Sequence, residues 1–309
     1  MTLRERVFYG AFLLCLGAVW GLTQPLTKIA VSTGYLHFGL LFWQMAIGAL
    51  VMSLVAAFRG TPLPKGLAQW RTCLIIAVVG SIIPNTASYQ AYVHLPSGIL
   101  SILLSMIPKW AFPIALFLAL DRFEWRRLAG LIVGLCAVLL LVLPGSDVTG
   151  AMPKFWIAIA LISGMCYAFE GNFVAKWGTS GLDPAQVLWG ASLIGVVISA
   201  PLALGTGQWI SPLPPYGPAD FAQMAASVLH VAAYVGYVWL VPRVGPVFAV
   251  QISYCVTLFG VFWAALILNE RYPSLVWAAL VLMLVGMTLV QPRRRALEAR
   301  GAMTENGPQ

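Results

Sequence analysis

The sequence predicts an all-α integral membrane protein of ten transmembrane helices arranged as two inverted five-helix repeats, and three observations carry that prediction. Of 309 residues, 60% are hydrophobic and only 9% charged, with mean hydropathy +0.87. Too few polar groups remain to cover a water-exposed surface. The apolar residues fall into runs of about 17 to 25, the length that crosses roughly 30 Å of hydrocarbon as a helix. A short aromatic motif recurs in the two halves.

The runs are expected at 8–30, 38–58, 72–94, 97–120 and 126–144, then at 155–178, 184–204, 219–241, 246–269 and 274–291. Their continuous Leu, Ile, Val, Ala and Gly exclude a β-barrel, whose strands alternate in polarity over about ten residues. The first run is full length and lacks a small-residue cleavage site, so it is expected to stay as helix one. Arg4, Arg6, Arg59, Lys65, Arg71, Arg122, Arg126, Arg127, Lys176, Arg243, Arg293, Arg294, Arg295 and Arg300 fall on the side of the N-terminus, against Lys28, Lys154 and Arg271 on the other. Positive charge stays inside, which predicts a multi-pass cell inner membrane protein with both termini cytoplasmic. The net charge of +8 forms no basic stripe with aromatic partners, so no nucleic-acid partner is expected. Cys15, Cys73, Cys136, Cys166 and Cys255 lie within helices without metal-ligand spacing, and neither metal nor cofactor is expected.

The repeat is clearest in helices three and eight. Tyr89-Gln-Ala-Tyr92-Val93-His94-Leu95 matches Tyr234-Val-Gly-Tyr237-Val238-Trp239-Leu240, and the same offset sets Asn85 against His230. A weaker echo joins Leu120-Asp121-Arg122 to Asn269-Glu270-Arg271. This divides the chain into repeats 1–147 and 148–292 and a basic, polar cytoplasmic tail 293–309. Five crossings per repeat oblige the second copy to enter from the opposite side. That architecture predicts alternating access around a midplane site.

These residues resemble the drug/metabolite transporter superfamily, specifically its ten-helix EamA-type exporters, across 8–291. The resemblance rests on Trp20 with Lys28, the Tyr89-to-Leu104 passage, Pro108, and the acidic helix endings Asp121 and Glu270. The sequence departs from the family's pattern with Ile107 before Pro108, Asp121 where Glu is usual, and Val256 where a second-half Pro is expected. The resemblance implies export of a small amphipathic metabolite, amino acids being the leading class.

Charged groups within hydrocarbon normally face protein, a partner or water, which singles out Lys109 and Glu170. Either they line the cavity and hold opposite ends of a zwitterion, with Glu170 the candidate for a coupling proton, or they form a fixed structural ion pair. Helical spacing adds Trp20 and Gln24 with Lys28, Asn85 and Tyr89 with Tyr92, Ser105 with Ser101, Tyr167 with Ser163, and His230, Tyr234 and Tyr237 with Ser227. Trp110 joins Trp20 as a candidate cavity wall, and Gln251 completes the expected substrate-binding set. Each stripe equally describes interhelical hydrogen bonding. Pro25, Pro84, Pro108, Pro113 and Pro246 are candidate kinks, and Gly130 with Gly134 a site of close helix approach.

No His-Glu-x-x-His, Gly-x-Ser-x-Gly or P-loop occurs. A secondary or facilitative transporter is therefore expected rather than an ATP-driven pump or an enzyme. Hydrophobic-cation export is the alternative within the same class; an intramembrane enzyme or a non-transporting assembly protein are those outside it. The partners expected are a small-molecule substrate, the lipid bilayer and protons, with oligomeric state unassigned.

Overall fold

The computed structural model describes residues 3–142, 154–244 and 251–290, apart from the side chains of Leu3, Arg6, Val142 and Pro242. Its regular structure there is helical throughout: α1 (Leu3–Val31), α2 (His37–Arg59), α3 (Leu67–Ala77), a π-turn (Val78–Ile82), α4 (Ile83–His94), α5 (Ser97–Leu104), α6 (Ile107–Phe117), α7 (Trp125–Val142), α8 (Lys154–Trp177), α9 (Pro184–Gly205), α10 (Pro218–Val244), α11 (Ile252–Leu268) and α12 (Ser274–Val290). Every expected run contains helix where described. Seven stretches are long and apolar enough to cross a membrane by length and composition, while α11 and α12 are shorter apolar helices. The tail, Pro246 and the start of the expected 246–269 run lie outside the described residues.

Local chemistry sets the ends and breaks. Gly60 closes α2 in the left-handed region at φ 65°, which costs glycine no steric strain. Asp183 caps α9 by accepting from Gln186 N–H at 2.9 Å, with Pro184 at the first position. The expected continuous 97–120 helix is instead two, broken at Ser105-Met106 and ending at Phe117. The break falls three residues before Pro108, which has no N–H to offer the preceding turn.

Contacts between helix ends sort them onto two faces. Tyr35 after α1 bonds Asp220 at the start of α10, Phe38 N–H bonds Gln208 after α9, and Glu270 after α11 bonds the start of α5. On the other face Thr72 of α3 meets Ser180 before α9, and Lys176 of α8 donates to Leu118 O after α6. The helices therefore alternate in direction along the chain.

Packing is reciprocal between the halves. The first helix of the first half, α1, packs on α10 and α11; the first helix of the second, α8, packs on α4 and α6. Likewise α2 meets both α9 and α10, while α9 meets both α2 and α3; α7 lies along α12. The last pair approaches closely because Gly130 faces the backbone of Gly286, where any side chain would collide.

Candidate functional site

A cavity of ≈480 Å³ opens where the two halves meet. Trp20 and Gln24 of α1, Asn85 and Tyr89 of α4, Tyr167 and Glu170 of α8, and His230, Tyr234 and Tyr237 of α10 all line it, with Ser105 at the α5–α6 break. Ten of the thirteen residues expected from the sequence thus share one space. Tyr92, Ser101 and Ser227, from the same polar stripes, line it as well.

Hydrogen bonds and ring contacts order these walls. Tyr92 donates to Gln24 Oε1; Tyr89 donates to Gln44 Oε1 at 2.9 Å and accepts from Gln223 at 3.2 Å. Tyr167 donates to Asn85 Oδ1 at 3.1 Å. Trp20 stands edge-on to His230, ring centres 5.6 Å apart, and to Tyr237 at 6.3 Å, a geometry that the ring quadrupoles favour. The aligned pair Asn85 and His230 therefore serves two different neighbours, one a tyrosine and the other an indole.

Three expected residues lie elsewhere. Lys109 is 0% exposed and turns away from the cavity. Its Nζ donates to Ser105 O at 3.0 Å and Met283 O at 3.2 Å, and its stem fills the space left by Gly134 and Gly286. The buried cation takes the Ser105 carbonyl that the break before Pro108 leaves within reach, and a second carbonyl, Met283 O, from within α12. It forms no ion pair with Glu170; Arg127 with Asp121 is an ion pair seen among the described residues. Trp110 packs on the core near Gly164, its Nε1 buried without a partner among the described residues. Gln251, one residue before α11, is exposed and not in the wall.

Glu170 is the one carboxylate among the described lining residues, and none of them is Lys or Arg. Its side chain lies against Gly80 of the π-turn, where a Cβ would displace it. Gly80, Ser81, Thr23, Thr27, Gln44, Ser88, Ser253 and Thr257 are lining residues that the sequence did not single out. The three threonines among these are silent in a sequence because each satisfies itself locally: Thr23 donates to Trp20 O, Thr27 to Thr23 O and Thr257 to Ser253 O. Gln44 alone carried a signal, as a lone amide in an apolar helix.

Beyond the Thr27 and Tyr92 end of the cavity lies a helix corner, His94 to Ser97. Lys28 Nζ donates to Tyr92 O and, at 3.0 Å, to Leu95 O at the C-terminal end of α4. The Glu270 carboxylate accepts from Ser97 N–H at 2.8 Å and Gly98 N–H at 3.2 Å at the N-terminal end of α5, and from the Tyr272 hydroxyl. Each charge opposes the helix dipole it meets. Burial first, then this bond to Glu270, pushes the Tyr272 phenol above its ordinary range.

Alternating apolar helices around a chamber walled by both halves define a multi-pass helical membrane protein. The EamA-like transporter family matches residues 8–143 and again 154–291, so the chain belongs to that family, within the drug/metabolite transporter superfamily. It is 22% identical over 286 residues to a WAT1-related chloroplastic protein of Arabidopsis thaliana, covering 88% of this chain and 66% of that one. The chain thus spans just under two thirds of that relative's length. A protein crystal structure of 16% identity aligns over 96% of this chain and 100% of its own with TM-score 0.62, a likeness of fold alone.

Proposed function

We propose that this protein is a secondary or facilitative transporter that moves small amphipathic metabolites, such as amino acids, outward by alternating access. Ten crossings form two inverted repeats, 1–147 and 148–292, with the 293–309 tail and both termini on the cytoplasmic side of the cell inner membrane. One observation carries the reading: a chamber walled by both halves, with Glu170 the one carboxylate among its described lining residues. Reciprocal helix packing supports a pseudo-twofold relation between the repeats. In this orientation the Lys28–Glu270 corner closes the outer end, while Val187, Leu188 and Ile252 carry the wall towards the inner helix ends. The conformation is then inward-facing.

A second reading, export of an organic cation, is favoured by the withdrawal of Lys109 from the wall, which leaves no Lys or Arg among the described lining residues to meet a substrate carboxylate. Counterflow in proteoliposomes, screened with amino acids, amines and neutral metabolites with and without a pH gradient, tests both. Exchange of a solute that is lost in Glu170→Gln supports the reading. Reconstituted protein that exchanges none of them, or that hydrolyses lipid or peptide instead, refutes it.

A further inference from the structure

Glu170 and the π-turn of the facing helix are built around each other. Gly80 is the middle residue of Val78–Ile82, where Ile83 N–H bonds Val78 O five residues back. Such a turn holds one residue more than an α-helical turn and is characteristic of functional sites. Any side chain at position 80 would stand where the Glu170 carboxylate stands. Pro84 follows one turn later and has no N–H. Position 84 therefore supplies neither the α-type bond to Gly80 O nor the π-type bond to Val79 O.

A carboxylate thus lies against backbone that is short of donors. Among the described residues no group donates a hydrogen bond to Glu170 and none pairs with it. Gly80, Ser81 and Glu170 all face the chamber. Acceptors gathered in a low-dielectric wall without a donor are complementary to a cation that carries several N–H groups.

We propose that Glu170 and the Gly80–Ser81 backbone form a subsite for the primary ammonium group of the transported molecule. An R–NH₃⁺ group brings three donors and one positive charge. The aromatic wall beside it, Tyr167, Tyr234 and Trp20, takes the organic remainder. A quaternary ammonium has no N–H to give. A zwitterion of the same skeleton brings a carboxylate into a wall with no Lys or Arg among its described residues. The inference rests on the transport reading above in its second, organic-cation form, and sets an amine without a carboxylate in place of an amino acid as the substrate.

The test uses the full chain, purified in detergent and in proteoliposomes, with tryptophan-fluorescence titration of four probes: phenethylamine, its N,N,N-trimethyl analogue, phenylalanine and 3-phenylpropionate. Phenethylamine is expected to bind at least tenfold more tightly than the other three. Glu170→Gln and Gly80→Ala each erase that advantage, whereas Glu170→Asp keeps part of it. The wild-type ranking decides even if a variant does not fold: equal binding of the trimethyl analogue or of phenylalanine overturns the proposal. So does thermal stabilisation by NaCl but not choline chloride that phenethylamine fails to reproduce, since the site then takes an inorganic cation. Solute exchange with a flat ranking removes the subsite and leaves the transport reading; the expected ranking in vesicles that exchange no solute does the reverse.

Discussion

Lys28 and Glu270 grip opposite sides of one helix corner, the ammonium on the carbonyls that end α4 and the carboxylate on the amides that begin α5. Neither touches the other's target, yet both bonds must break before α1 and α11 move away from that corner. Hydrogen bonds to a charged group contribute about 1.5–3 kcal/mol each.

Replacing Glu270 by Gln is therefore expected to loosen the closed end by about 1.5 kcal/mol, roughly a tenfold gain in the open population. The measurement is maleimide labelling of Thr27→Cys from outside intact cells, set against the native cysteines as background. Labelling that stays at the rate seen with Glu270 in place contradicts this role.

Tyr272 lies outside the membrane-spanning helices, and its phenol is held above the ordinary range near 10. A folded-state pKa above the unfolded value stabilises the fold fully below the unfolded pKa and loses that effect as pH rises through the folded one. Thermal stability is accordingly expected to hold up to about pH 10 and to fall in more alkaline solution. Tyr272→Phe should flatten that alkaline limb. An unchanged slope would remove Tyr272 from the clamp.

Lys109 and Glu170 should separate functionally. Lys109→Met keeps the length of the stem and gives up two charged hydrogen bonds together with the desolvation cost of a buried cation, which offset each other, so counterflow is expected within about threefold of wild type. Lys109→Ala empties the space between α6, α7 and α12 and should lower stability by about 2–4 kcal/mol. Loss of transport in the Met variant, with stability intact, would return Lys109 to the site.

Gly286→Leu forces side-chain atoms into the backbone contact with Gly130. Overpacking of this kind costs about 1–3 kcal/mol, and a lower melting temperature in detergent is the expected result. A variant as stable as wild type would show that α7 and α12 separate without penalty.

Periodicity made most of this fold readable, because lipid forbids unpaired backbone and leaves apolar helices as the solution for a chain of this composition. The helix directions followed from counting. What escaped was local: the break at Ser105-Met106 and the π-turn before Pro84 both depend on which neighbour receives a freed carbonyl, and Lys109 supplied that neighbour at the first. Its sign suggested a partner for Glu170, but orientation on the helix, rather than charge, decided where it went. The tyrosine stripes were legible since they repeat at helical spacing in both halves. The threonines beside them were not, because a hydroxyl that bonds its own helix looks the same facing lipid or facing the cavity.

The exchange of first helices between halves has a consequence for biosynthesis. Helix α1 emerges from the ribosome before the other described helices, yet its main neighbours, α10 and α11, follow seven or more helices later. Until they arrive, the Trp20, Gln24 and Lys28 stripe is left with α4 and α5 among its main neighbours. Insertion is thus sequential while assembly waits for the second half, and a chain truncated after the first repeat is left with a polar helix face turned towards lipid.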